Sequence, residues 1–166
     1  MGYQQAYTKT PSGVIEVKHL ARAIVMEAKE PHKNYFDSRR ESTPFRHLFR
    51  YIQTHNIPMT TPVEVNIEEN GMLFYAPLDS QDKMLLGTSD VNIKSLPERT
   101  VVSIGIKGSY NQANFDKGKT KLYSWLDEHQ EWKAISQPYA VYWDSPYSIP
   151  VLKHSEVRIS IARVIQ

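Results

Sequence analysis

The stretch Leu48-Phe-Arg-Tyr-Ile-Gln-Thr-His55 recurs in the second half of the chain as Leu122-Tyr-Ser-Trp-Leu-Asp-Glu-His129. In both copies the apolar residues follow one another at intervals of three and four, which is the period of one helix face. Pro44 suits the first turn of the earlier helix, and Pro58 lies just beyond its expected end near Asn56. The two stretches therefore predict two amphipathic helices at equivalent positions.

The sequence on either side of these helices is repeated as well. Before the helix, Ile15-Glu-Val-Lys-His-Leu20 is echoed by Val91-Asn-Ile-Lys-Ser-Leu96. After the helix, Pro62-Val-Glu-Val65 is echoed by Pro138-Tyr-Ala-Val141. Matches that keep the same order along the chain favour an internal duplication.

Runs of β-branched residues bounded by turn residues predict strands around each helix. The expected strands are Val14–Leu20, Arg22–Ala28, Val63–Ile67, Met72–Ala76, Val91–Ser95, Val101–Lys107, Tyr139–Trp143 and Glu156–Ala162. This order indicates an α+β fold in which tandem pseudo-twofold β-α-β repeats form a distorted antiparallel β-barrel or sheet flanked by two helices. We predict a single domain over residues 1–166, with repeat one at about 14–78 and repeat two at about 90–162.

Composition limits the classes of function. The 166 residues include 20 lysines and arginines against 18 acidic residues, and this net charge of +2 is too small to indicate nucleic-acid binding. The absence of cysteine excludes disulfides, thiolate metal sites and cysteine nucleophiles. The polar segment Met1–Ser12 lacks the apolar run of a signal peptide, and no apolar run reaches the length of a membrane span. We therefore expect a cytoplasmic protein with no membrane span and no nucleic-acid partner.

No catalytic constellation is visible in the sequence. The Gly-x-Ser-x-Gly pattern of a nucleophile elbow is absent. His55 and His129 stand at equivalent positions near the ends of the two helices. A cation stabilises the carboxyl terminus of a helix, and we expect both histidines to have this role. The pairs Glu68-Glu69 and Asp127-Glu128 fall at expected turns and helix ends and are interpreted as solvated charges. We therefore assign no catalytic residue and leave any metal ligand unknown.

The first helix carries a feature that could bind a ligand. Four apolar residues form one face, and two arginines lie at its rim: Phe45, Leu48, Phe49 and Ile52, with Arg46 and Arg50. An apolar groove with two guanidinium groups would suit a flat hydrophobic molecule that ends in carboxylates, because arginine binds carboxylate in a bidentate fork. A solvated helix face is the alternative interpretation.

These residues also support a family resemblance. Phe45-Arg-His-Leu-Phe-Arg-Tyr-Ile52, followed by Met59-Thr-Thr-Pro-Val63, resembles the signature of the SOUL heme-binding family. Leu96-Pro-Glu-Arg-Thr-Val-Val102, Tyr142-Trp-Asp-Ser-Pro146 and Glu156-Val157 are similar to that family's second half. The resemblance implies a distorted β-barrel with two helices, and a non-enzymatic carrier or buffer for heme or a related tetrapyrrole.

The resemblance also implies a set of cofactor-binding residues. In this family tetrapyrroles are thought to lie along the first helix by hydrophobic contact, with basic residues near the propionates. The implied residues are Phe45, Leu48, Phe49, Ile52 and Met59, with Arg46 or Arg50 as carboxylate partners, and Tyr142 and Trp143 in the second repeat. The chain departs from the family in its short link of Ile57 and Pro58, and no histidine precedes His19, so an axial iron ligand is not transferred.

A second hypothesis comes from the same tandem repeat, which is also similar to gyrase-inhibitor-like effector-binding domains. It predicts a cleft for a planar hydrophobic small molecule, lined by Tyr75, Tyr110, Trp125, Tyr142 and Trp143. Some relatives of that group are hydrolases, and a hydrolase would need a carboxylate such as Glu64 or Glu156 in the cleft. Nothing in the sequence selects between these two glutamates.

Overall fold

The structure is a computed structural model, and it describes residues 4–30, 34–37, 43–80, 86–144 and 152–165. The chain divides into two compact units. Unit 1 comprises Met1–Tyr7 and Arg22–Pro97, and unit 2 comprises Thr8–Ala21 and Glu98–Gln166. Each unit is therefore built from two separate stretches of sequence.

The described residues form mostly antiparallel strands and two α-helices, with a 3-10 turn at Tyr35–Asp37. In chain order the elements are β1 (Gln4–Gln5), β2 (Ile15–Leu20), β3 (Ala23–Lys29), α1 (Thr43–Thr54), β4 (Thr60–Thr61), β5 (Val63–Asn66), β6 (Gly71–Tyr75), β7 (Asn92–Leu96), β8 (Arg99–Lys107), α2 (Gln112–Glu128), β9 (Trp132–Ala134), β10 (Tyr139–Tyr142) and β11 (His154–Arg163). The predicted α+β class is confirmed.

In unit 1 the strand order is β7-β3-β6-β5, and every neighbouring pair is antiparallel. Helix α1 packs against β3 and β6. The short strands β1 and β4 add a separate parallel pair.

In unit 2 the strand order is β2-β8-β11-β10, again antiparallel, and β9 pairs with the end of β11. Helix α2 packs against β8 and β11. The two units thus share one arrangement: an edge strand, the strand before the helix, and the two strands after the helix in reverse order. This correspondence is what a duplication would produce, and the predicted repeats remain a proposal.

The end of α1 shows how the local sequence sets an element boundary. Asn56 has a φ of 54°, in the left-handed region that asparagine tolerates. The Ile57 amide donates to the Ile52 carbonyl at 2.8 Å, and the Asn56 amide donates to the Gln53 carbonyl at 3.2 Å. These are the two hydrogen bonds of a Schellman motif, and they end the helix at Thr54, close to the predicted position.

Helix α2 begins ten residues before the periodic stretch that predicted it, at Gln112. The Asn111 side chain caps it by accepting a hydrogen bond from the Asn114 amide at 2.9 Å. At Gly118 the helix lies so close to the sheet that a β-carbon would be 2.7 Å from side-chain atoms of Ile106 and Val157. Cap and glycine position the helix, but neither contributes to apolar periodicity.

The sheet of each unit has two different faces. In unit 1, α1 covers the face that carries Phe74, which is buried to 1% exposure. In unit 2, α2 covers the face that carries Val157. Since side chains alternate along a strand, the neighbours Tyr75 and Glu156 point to the opposite faces of their sheets.

Candidate functional site

The inner side of α1 belongs to the core of unit 1. Leu48 has 0% exposure and Ile52 has 4%, and Tyr51 is buried beside them. Leu48 and Ile52, which the resemblance implied as ligand contacts, therefore pack in the core of unit 1. Their part in any site is to hold the helix in place.

The flank of α1 carries an aromatic ledge, formed by Phe45 and Phe49. Their rings are stacked with centroids 5.8 Å apart and an interplanar angle of 14°. Phe45 also packs edge-on against Phe74, at 5.8 Å and 69°, which anchors the ledge to β6. Phe49 is 40% exposed, so the outer part of the ledge faces solvent. Met59 is half-buried in the segment after the helix.

The two arginines differ in their relation to the ledge. Both are exposed. Arg46 precedes Phe49 by three positions and is therefore its neighbour on the helix surface, whereas Arg50 follows Phe49 directly and lies about 100° from it around the helix axis. An Nη2 atom of Arg46 donates to the Thr43 hydroxyl at 3.4 Å. Of the two, Arg46 is the better placed to bind a carboxylate of a molecule on the ledge.

The histidines at the two helix ends have the same local geometry. His55 stacks on Tyr51 at 4.1 Å, and its Nδ1 lies 3.0 Å from the Tyr51 carbonyl oxygen. His129 stacks on Trp125 at 4.0 Å, and its Nδ1 lies 2.8 Å from the Trp125 carbonyl oxygen. Each imidazole thus caps the last turn of its helix, as the sequence predicted.

The usual metal ligands are not clustered in the part of the chain that the structure describes. Within the described ranges, no group of three or more histidine, aspartate or glutamate side chains could hold a metal ion. Two other histidines also have polar partners. His19 Nδ1 lies 2.9 Å from the Thr100 hydroxyl, and His47 Nε2 lies 3.9 Å from Asp90 Oδ1. The predicted solvated pairs Glu68-Glu69 and Asp127-Glu128 are all exposed.

Tyr142 and Trp143 lie at the end of β10 in unit 2, and both are buried. Tyr142 stacks on Tyr110 at 3.9 Å with an interplanar angle of 15°. The Trp143 Nε1 donates to Glu156 Oε2 at 2.6 Å. Of the residues proposed for an effector cleft, Tyr110, Trp125, Tyr142 and Trp143 belong to unit 2, and Tyr75 belongs to unit 1.

Glu156 is the centre of a buried polar cluster on β11, and its side chain has 0% exposure. Its Oε1 accepts hydrogen bonds from Ser103 at 2.6 Å and from Arg158 at 2.7 Å, and forms an ion pair with Lys18 at 3.2 Å. Its Oε2 accepts from the Thr10 amide at 3.0 Å, as well as from Trp143.

Electrostatics keep this carboxylate ionised. Burial alone would raise the pKa of Glu156, but the charge of Arg158, the Ser103 hydroxyl and the charge of Lys18 lower it to about 2. Burial and the nearby Arg158 lower the pKa of Lys18 in turn. A carboxylate this well supplied with donors is a structural anion, since its lone pairs are directed at the protein's own groups.

Unit 1 holds a second buried carboxylate, on β5. Glu64 is 3% exposed, and its Oε2 accepts hydrogen bonds from the hydroxyl groups of Tyr7, at 2.9 Å, and of Tyr75. The sequence signal for both glutamates was a charge inside an apolar strand, Val63-Glu-Val65 and Glu156-Val157. Their partners could not be read from the sequence, because the Thr10 donor lies 146 positions from Glu156 and the Tyr7 donor 57 positions from Glu64.

An open groove of about 260 Å³ lies beside α2 in unit 2. It is lined by Ile15, Thr120, Lys121, Ser124, Trp125 and Glu128. Its polar lining residues are exposed, whereas a ligand pocket usually encloses a few precisely placed polar groups. Across the described segments, no helix has both the length and the apolar character needed to cross a bilayer.

Comparison with known proteins places the fold and the family. The structure is similar to EcmrR in its complex with DNA, at a TM-score of 0.69 and 14% identity, over 91% of this chain and 58% of that chain. It is also similar to a hydrolase from Listeria innocua, at a TM-score of 0.66 and 11% identity, over 92% of this chain and 94% of that one. At these identities the likeness shows the fold alone.

Sequence comparison is more specific. A search of curated proteins found no match. The family described as "SOUL heme-binding protein" matches residues 3–160, nearly the whole chain. The chain belongs to the SOUL heme-binding protein family.

Proposed function

We propose that this protein binds heme or a related tetrapyrrole on the aromatic ledge of α1, as a non-enzymatic carrier or buffer. The family match over residues 3–160 is the observation that carries the proposal. The ledge supports it, because two nearly parallel phenyl rings with a solvent-facing side offer a flat apolar surface to a flat apolar ligand.

The residues present fit a tetrapyrrole through its ring and its carboxylates. Phe45 and Phe49 would contact the macrocycle, and Arg46 would bind a propionate in a bidentate fork. Arg50 lies one turn from Arg46 on the same flank of the helix, further round from Phe49, and it could bind a second propionate. Bound heme would supply the chemistry of its iron, while the chain's contribution is apolar contact and charge.

We assign no protein ligand to the iron in this proposal. The Nδ1 atom of His55 lies 3.0 Å from the Tyr51 carbonyl oxygen, an arrangement that leaves Nε2 for another partner. Binding by ring and propionate predicts that iron-free protoporphyrin IX binds as well as hemin. It also predicts that single histidine replacements leave the Soret band of the hemin complex nearly unchanged.

Titration with hemin and with protoporphyrin IX tests the proposal. We expect saturable binding at low micromolar protein, followed by the Soret band for hemin and by fluorescence for protoporphyrin. Phe49→Ala and Arg46→Gln should each weaken both ligands by about 5–10-fold, which corresponds to roughly 1 kcal/mol for one aromatic or charge-assisted contact. Tyr123→Ala, an exposed aromatic on α2, is the matched control and should leave both affinities unchanged.

The absence of a saturable Soret shift would refute heme binding. If hemin binds but Phe49→Ala and Arg46→Gln bind like the wild type, the ligand lies elsewhere than on the ledge. A single histidine variant that abolishes the band would contradict binding through ring and propionate alone.

Effector binding is the second candidate function, and it rests on the resemblance of the tandem repeat to gyrase-inhibitor-like effector-binding domains. Glu156 would not serve a cationic effector or a hydrolytic mechanism well, because its charge is already compensated by Arg158 and Lys18. A thermal-shift screen of planar aromatic compounds discriminates between the functions. Stabilisation by hemin alone would end the effector hypothesis, and turnover that survives Glu64→Gln and Glu156→Gln would end a hydrolase role for these carboxylates.

A further inference from the structure

Glu64 and Tyr75 share the face of the unit 1 sheet that points away from α1. In the antiparallel register Glu64 lies opposite Leu73, and Tyr75 is two residues further along β6. Residues directly opposite and residues two apart project from the same face. Phe74, against which Phe45 packs, projects from the other face. The carboxylate and the Tyr75 phenol therefore form a group distinct from the aromatic ledge.

A third member of the group comes from the segment Gln4–Tyr7. The Tyr7 ring packs edge-on against Tyr75 at 5.4 Å and 87°, and its hydroxyl donates to Glu64 Oε2 at 2.9 Å. Tyr7 thus packs its ring against Tyr75 and donates its hydroxyl hydrogen to the buried carboxylate of Glu64. This is the way in which a small aromatic ligand is held in a binding site, with apolar contact for the ring and one polar group for orientation.

The segment that carries Tyr7 has a short backbone pairing. Strands β1 and β4 pair over only two residues, Gln4 with Thr60 and Gln5 with Thr61, and the Ala6 amide donates to the Thr61 carbonyl at 2.8 Å. Tyr7 is half-buried. A segment with so short a pairing opens locally at much lower free energy than a central strand does.

We propose that Glu64 and Tyr75 form a binding site for a phenol or an arylmethylammonium group, and that Tyr7 is its internal occupant. An external ligand takes the place of the Tyr7 ring against Tyr75 and donates its hydroxyl or ammonium hydrogen to Glu64 Oε2. An ammonium donor would bind more tightly than a phenol, because the hydrogen bond then joins two opposite charges. Binding displaces the Gln4–Tyr7 segment from β4.

The first experiment removes the Tyr7 ring from the site. In Tyr7→Ala we expect the melting temperature to fall, and p-cresol, which reproduces the tyrosine side chain, should restore about 2–4 °C at saturation. Toluene, which lacks the hydroxyl, should restore nothing. The double variant Tyr7→Ala/Glu64→Gln should lose at least 5-fold in benzylamine affinity relative to Tyr7→Ala. Tyr123→Ala is the control and should not respond to p-cresol.

The second experiment uses the unaltered chain and remains decisive if Tyr7→Ala does not fold. Saturating benzylamine should accelerate hydrogen exchange of the Ala6 amide, since that amide loses its Thr61 acceptor when the segment leaves. Unchanged or slower exchange of this amide with bound benzylamine would overturn the displacement. Equal stabilisation of Tyr7→Ala by toluene and p-cresol, or by neither, would overturn the site.

Discussion

Glu156 shows how one side chain can stabilise or destabilise a whole sheet. Two cations, Arg158 and Lys18, face this carboxylate in a part of unit 2 where both glutamate and arginine have 0% side-chain exposure. Charges removed from water in this way are tolerated only as a hydrogen-bonded set. The segment around Thr10 belongs to the set, because its amide donates to the same carboxylate.

Replacing Glu156 with glutamine is therefore expected to be strongly destabilising. The variant keeps the shape of the side chain but removes the negative charge that faces the buried Arg158 and Lys18, which costs about 3–5 kcal/mol. Urea unfolding followed by circular dichroism measures the change. Glu68→Gln, in an exposed turn, is the control, and a loss below about 1 kcal/mol in Glu156→Gln would show that the cluster is not energetically coupled.

At the scale of elements, the position of α2 depends on a glycine more than on its apolar stripe. A β-carbon at Gly118 would meet Ile106 Cδ1 and Val157 Cγ2 at 2.7 Å, and the Val157 β-carbon at 3.1 Å. Alanine normally favours a helix over glycine by about 1 kcal/mol. Overpacking against a sheet costs about 1–3 kcal/mol, and it outweighs the helical gain wherever a branched residue must move.

Gly118→Ala is accordingly expected to lower the melting temperature, although it improves helix propensity. Differential scanning calorimetry measures the midpoint. Lys117→Ala, at the preceding exposed position, tests the propensity of the helix alone and should leave the midpoint nearly unchanged. A higher midpoint for Gly118→Ala would mean that the helix can withdraw from β8 and β11 without cost.

The same elements show what the sequence could and could not predict. Apolar spacing identified both helices and all the longer strands, because these positions contact the cores of the units. It missed the first turns of α2, where Phe115 and Gly118 are buried without a regular apolar run. It also missed β9, which has only three residues.

The candidate sites were predictable in part for a related reason. The helix pattern located Phe45, Phe49 and Arg46, since neighbours on a helix follow from spacing alone. It could not separate these surface residues from Leu48 and Ile52, which lie in the core of unit 1. The Tyr7 contact with Glu64 had no local signal, because residues far apart in the chain meet there only after folding.

At the scale of the whole molecule, Glu156 links the stability of the fold to pH. Its pKa in the folded chain is about 2, below the ordinary value of 4.5. A carboxyl group with a depressed pKa contributes stability that is fully present above its unfolded pKa and is lost as the pH falls through the folded value. The relevant window is therefore between about pH 4.5 and about pH 2.

We expect the free energy of unfolding to fall across this window as the pH is lowered. Urea titrations at a series of pH values measure the slope. In Glu156→Gln the titrating group is absent, so the slope between pH 4.5 and 2 should be shallower than in the wild type. Identical slopes in the two proteins would assign the acid sensitivity to other carboxylates.

The backbone alternates between the two units, so cleavage of the chain would affect them differently. Unit 1 and unit 2 each draw on two separate stretches, so the backbone passes from one to the other after Tyr7, after Ala21 and again after Pro97. A single cut after Pro97 leaves unit 1 whole but divides unit 2. The fragment that ends at Pro97 keeps β2 but lacks its partner β8, and the remainder keeps β8 with an unpaired edge. Cleavage of the link between β7 and β8 would thus yield two complementary fragments, with β2 on one and its neighbour β8 on the other.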